Sequence, residues 1–135
     1  MLLQISDNKT ISMVQRDFSG YFPFLKIEFF DEPHKKMEGS KEIHRLREEE
    51  LIGHIRQRHN TGMLEIHPLH TPYYIEKQLK NRYGLYVQVY RIGPDGWIQT
   101  AGSDLVTLGE QNEIARQEVE SRHLETEVDF TDNEY

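Results

Sequence analysis

The sequence predicts an α+β fold built from two strand-helix-strand units, and three observations carry that expectation. Two stretches of the chain match in the order and spacing of their apolar residues, each carries a threonine helix cap, and each closes on a run that alternates with period two. Two such units forming one mixed sheet, joined by right-handed crossovers, make a ferredoxin-like split β-α-β arrangement the simplest topology. A β-grasp-like arrangement is the alternative.

The first unit covers about residues 1–30. Leu2-Leu3-Gln4-Ile5 is a short apolar run, and Thr10 then stands as an N-cap before Ile11, Val14, Phe18 and Phe22 at near-helical spacing. The following run, Phe24 to Phe30, alternates, so Leu25, Ile27 and Phe29 share one face of a strand.

The second unit covers about residues 63–100. It opens on Met63-Leu64-Glu65-Ile66, and Thr71-Pro72 places a cap before a proline whose missing N–H costs nothing at the first helical position. Ile75, Leu79 and Tyr83 recur every four residues, Gly84 supplies a left-handed stop, and Leu85, Val87 and Val89 alternate. An offset of 61 lays Leu3 on Leu64, Ile5 on Ile66, Thr10 on Thr71, Val14 on Ile75, Phe18 on Leu79 and Phe22 on Tyr83, the pattern of an internal repeat. Gly93-Pro94-Asp95-Gly96 has the chemistry of a tight turn, so a hairpin into Trp97-Ile98-Gln99-Thr100 is expected.

Three parts stand outside the duplicated pattern. Residues 31–62 form a charged insert, with residues 41–59 reading as a helix of thin apolar face broken by Gly53. Residues 105–116 read as a short closing helix, Thr107 capping it with Glu110 three residues on. Residues 117–135 form an acidic tail, so that residues 1–116 make one α+β domain.

The net charge of −7 belongs mostly to that tail, which holds seven acidic residues against Arg122 alone. The body is therefore nearly neutral and lacks the basic footprint that binding to a phosphate backbone needs. The absence of cysteine excludes disulfides, thiolate metal sites and cysteine nucleophiles. No segment approaches the roughly 18 apolar residues of a membrane helix, and the first residues lack a signal-peptide pattern, so a cytoplasmic protein without membrane partners is expected.

The stretch from Thr10 to Phe30, and again Tyr83 to Tyr90 with Trp97 and Thr107-Leu108-Gly109-Glu110-Gln111-Asn112, resembles small bacterial proteins with similar strand-helix-strand phrases. The resemblance covers about half of the chain. It implies no chemistry.

Candidate sites follow from the alternation. If Leu25, Ile27, Phe29, Leu85, Val87 and Val89 face the helices, then Phe24, Lys26, Phe30, Tyr86, Gln88 and Tyr90 face the other way, forming an aromatic binding surface. On an open sheet such rings stack unpaired bases; covered by the insert or the chain end, they become a second core layer, which is the favoured expectation. In the tail, Leu124, Val128 and Phe130 alternate with acids, so an extended tail would present an apolar edge able to add to a partner's sheet, with a disordered end as the equal alternative. His67 and His70 lie three residues apart but show no third ligand, so no metal is expected. No nucleophile–base pair or phosphate-cradling glycine loop is present, and neither catalytic residues nor a cofactor are expected. The leading expectation is a protein-interaction or adaptor domain without catalytic activity, meeting another protein or a second copy of itself. Single-stranded nucleic-acid binding is the alternative, and a small-molecule or enzymatic role ranks third.

Overall fold

The computed structural model describes residues 1–33, 38–103 and 105–132, with side chains described as far as Leu124. In chain order the elements are β1 (Leu2–Ile5), α1 (Ile11–Tyr21), β2 (Leu25–Phe30), two 3-10 turns (Glu42–His44 and Ile52–His54), β3 (Gly62–Glu65), α2 (Pro72–Tyr83), β4 (Tyr86–Gly93), β5 (Gly96–Gln99) and α3 (Leu108–Asp132).

Local chemistry sets the element ends. Thr10 Oγ1 accepts from the Met13 N–H at 3.2 Å and Thr71 Oγ1 from the Tyr74 N–H at 3.1 Å, each satisfying one of the donors a helix start leaves unpaired. Gly84, at φ +67°, ends α2 in the left-handed region, as glycine there allows. The expected hairpin forms, with Ile92 opposite Trp97 and Gly93 opposite Gly96.

The strands make two antiparallel sheets, β1 with β3 and β2-β4-β5, where one mixed sheet was expected. Each sheet takes a strand from each unit: Leu3 pairs with Leu64, and Ile27 with Val89. The reason lies at the second edge of β2. Its carbonyls accept from the helix that precedes it, Ser19 Oγ to Leu25 O and Gln15 Nε2 to Ile27 O, both at 2.9 Å, and from the insert, Leu46 N–H to Phe29 O at 2.8 Å. Those groups are thereby withdrawn from any further strand on that side of β2.

The buried alternating faces of β1 to β4, together with Ile11, Val14 and Phe18 of α1 and Ile75, Leu79 and Tyr83 of α2, form one hydrophobic cluster. Each such side chain contributes about 1.5–3 kcal/mol relative to exposure.

The insert is not the helix expected over residues 41–59. Its backbone groups are spent on the rest of the protein: the Glu50 and Glu48 carbonyls accept from the Ile11 and Ser12 N–H groups, both at 2.9 Å, while the Ile52 and Gly53 N–H groups donate to Lys9 and Asp7. The insert thus completes the start of α1, and an i to i+4 ladder of its own is lost to those bonds. Gly53 is required where it passes Asp7, since a Cβ would stand 2.9 Å from the Asp7 Cβ.

The closing helix begins as expected, Thr107 Oγ1 accepting from the Glu110 N–H at 3.2 Å, but α3 continues to Asp132 through the residues expected to form the tail. The tail's period-two edge therefore does not form. The stretch contains neither glycine nor proline, and acids spaced along a helix can serve it, as Glu113 and Glu120 do by flanking Arg116 at i−3 and i+4. No described helix is long and apolar enough to cross a membrane.

Candidate functional site

Cross-strand pairing brings most of the expected surface together. Lys26 stands opposite Tyr90 and Phe30 opposite Tyr86, with Glu28 opposite Gln88 between them, so these side chains share one face of the β2-β4-β5 sheet. Phe24, just before β2, is half-buried and donates its backbone N–H to Asn112 Oδ1 of α3 at 2.9 Å.

The face is not open. Residues 38–46 lie across it: Gln99 Nε2 donates to the Ser40 carbonyl at 2.7 Å and to the Tyr90 hydroxyl at 3.2 Å, Phe30 bridges to Arg45, and Arg45 reaches Glu28. Phe30 and Tyr90 are buried in consequence. Burial also pushes the Tyr90 hydroxyl above its ordinary pKa, the Gln99 hydrogen bond opposing. Gln88 is wholly inside, its Nε2 donating to Glu76 Oε2 at 3.3 Å and to the Val89 carbonyl at 3.0 Å. Tyr86 is half-buried at the far end of β4. What remains outward is Lys26, whose ammonium sits 5.3 Å from the centre of the Tyr90 ring and 4.9 Å from that of Trp97.

Trp97 and Ile98 were not among the expected site residues, and the sheet makes them conspicuous. They are 42% and 37% exposed on successive positions of β5, hence on opposite faces of the outermost strand. Among the described residues no backbone group of Gly96–Gln99 bonds outward from the sheet. Edge strands are ordinarily blunted by charge, proline or a bulge; Gly-Trp-Ile-Gln has none of these within it.

A second cluster also went unread in the sequence. Arg56 is buried, its Nε and Nη2 donating to Asp7 Oδ1 at 3.0 and 2.8 Å and its Nη1 to the Tyr83 carbonyl at 3.0 Å. His59 Nδ1 meets the other Asp7 oxygen at 2.9 Å. The Arg56 hydrogen bond, outweighing desolvation, and then His59 hold the Asp7 carboxyl below its ordinary pKa. Arg58 and Asn60 donate to the Asn81 and Arg82 carbonyls, so three side chains of one loop close the end of α2.

The two loop histidines are engaged locally. His70 Nδ1 accepts from the His67 N–H at 3.1 Å, and its ring lies 4.2 Å from that of Tyr74. Partial burial, then the neighbouring His67, lowers the His70 pKa. No cluster of three metal-ligating side chains exists among the described residues. Of the expected tail residues, Leu124 is exposed on α3, and the Val128 and Phe130 side chains lie outside those described. Comparison with protein-family models, with curated proteins and with solved structures yields no significant match for this chain.

Proposed function

We propose that the chain is a protein-interaction domain that receives an extended segment of another protein along β5. The observation that supports this reading is the outer edge of that strand, uncharged, unpaired among the described residues and flanked by the exposed side chains of Trp97 and Ile98. A strand added there gains main-chain hydrogen bonds from the edge, while the two side chains, one on each face, set which residues the added strand carries. Trp97 is suited to anchor it, being rigid and large, with Lys26 beside its ring to favour an acidic or aromatic neighbour. No step of catalysis belongs to this reading.

Affinity capture from cells that make the protein, run side by side with the intact chain and with Ile98→Lys, tests it. The expected result is a protein retained by the intact chain and released by the lysine, which blunts the edge without entering the core. Equal retention by both baits would refute the use of β5. Recovery of salt-sensitive oligonucleotide binding, with no protein retained, would instead favour the single-strand nucleic-acid reading.

A further inference from the structure

A cleft of about 1170 Å³ lies at the opposite end of β4 from β5, between the end of α2 and the loop that follows the second 3-10 turn. Its lining includes Arg56, Arg58, Lys80, His54 and Tyr86, with Asp31 as the one carboxylate among the described residues. In a chain of net charge −7 this cleft is thus lined by three cations among the described residues.

Part of that charge is explained by structure. Arg56 is spent on Asp7 and on the end of α2, and Asp31 faces His44 at 3.0 Å. Arg58 and Lys80 are different. Neither pairs with a carboxylate among the described residues, although acids outnumber cations by 23 to 16 along the chain. Arg58 uses one N–H on the Asn81 carbonyl, leaving the rest of its five-donor fork to the cleft. A helix C-terminus ordinarily repels anions, but here Arg56, Arg58 and Asn60 already satisfy its carbonyls, removing most of that opposition.

We infer that this cleft binds a small phosphorylated molecule carrying a planar ring, of mononucleotide size, with Arg58 and Lys80 holding the phosphate and Tyr86 lying against the ring. The guanidinium fork matches phosphate oxygens in pairs, and the ammonium adds a point charge. Tyr86, half-buried on the cleft wall, offers a face for offset stacking. The volume is ample, since clefts of about 300–1,000 Å³ enclose most small ligands.

Titration of the full chain with AMP, followed by amide NMR shifts, tests the inference, with inorganic phosphate and citrate as controls. The expected result is saturable binding of AMP, stronger than that of phosphate or citrate, with shifts concentrated at Arg58, Lys80 to Gly84 and Tyr86. Lys80→Glu should weaken AMP binding at least tenfold, about 1.4 kcal/mol. Lys77→Glu, an equal charge change on exposed α2 surface outside the cleft, should leave it within about twofold, which amounts to less than 0.5 kcal/mol. Both substitutions fall on exposed side chains, and an unchanged amide spectrum certifies each fold. Absence of saturation by about 10 mM, beyond the millimolar range of weak specific binding, would overturn the inference. So would citrate or phosphate binding as tightly as AMP, or equal weakening by Lys77→Glu and Lys80→Glu.

Discussion

Gln15 and Glu76, 61 residues apart, each reach from a helix to the edge of the strand that follows, one as a donor and the other as an acceptor. Gln15 Nε2 donates to the Ile27 carbonyl at 2.9 Å, and Glu76 Oε2 accepts from the Val89 N–H at 3.0 Å. Each also meets a side chain of its strand, Gln15 with Glu28 at 3.2 Å and Glu76 with Gln88 at 3.3 Å, so amide and carboxylate exchange places. What the edge presents decides the residue type. A carbonyl requires a donor, which the amide supplies, and an N–H requires an acceptor, which the carboxylate supplies.

The acceptor at position 76 is therefore expected to carry stability. Glu76→Leu leaves the Val89 N–H and the Gln88 amide without this oxygen in a buried site, at a cost of about 2–3 kcal/mol, whereas Glu76→Gln, which can still accept at Oε1, should lose less than half of that. Urea unfolding of the three proteins measures the order. Equal losses for leucine and glutamine would show that the charge, and not the acceptor, matters.

The converse holds at α1. Gln15→Glu sets a carboxylate against the Ile27 carbonyl and Glu28 and should destabilise by about 1 kcal/mol at neutral pH, recovering as acid protonates the new group. Gln15→Ala should show no such recovery. Thermal unfolding across pH separates the two.

The features legible in the sequence are those that a residue and its near neighbours decide. Thr10, Thr71 and Gly84 announce helix ends because the groups they satisfy lie within four residues, and the alternation of Leu25, Ile27 and Phe29 survives as a buried face. The insert defeats such reading. Its carbonyls are bonded to Ile11 and Ser12, some forty residues away in the chain, so nothing local marks them as anything but a weak helix. The same distance hides the sites: Arg56 reads as one more loop cation until Asp7 and Tyr83 are brought to it, and although a cover over the aromatic face was expected, nothing local marks residues 38–46 as the stretch that crosses it. Trp97 and Ile98 were visible as strand residues, but that β5 is outermost is a property of the sheet order alone.

Two acid transitions with different chemistry are expected. Asp7 is held below its ordinary value of 3.8, so its contribution is complete above that value and is lost as pH falls below it, through the lower folded value. Asp7→Asn should reduce stability at neutral pH and flatten that part of the profile. Chemical denaturation across this range gives the comparison, and an unchanged acid slope in the variant would assign the loss to other carboxylates.

His70 acts at milder pH. Its folded value lies below 6.5, so the unfolded chain binds the proton first, and stability present above pH 6.5 is lost as pH falls below it, levelling once the folded state also protonates. Protonation removes the acceptor that receives the His67 N–H, in the turn whose Pro68 and His70 carbonyls hold the Gly109 and Leu108 N–H groups at the start of α3 at 2.9 and 2.8 Å. Acid is therefore expected to lower the protection of the Leu108 and Gly109 amides against exchange, taken relative to the intrinsic rate at each pH, more than in α1. His70→Asn, whose Oδ1 can accept in place of the imidazole, should keep the turn and abolish the change. Protection factors measured at neutral and mildly acidic pH decide the matter, because a general loosening would lower α1 and α3 together, whereas release of the turn lowers the start of α3 alone.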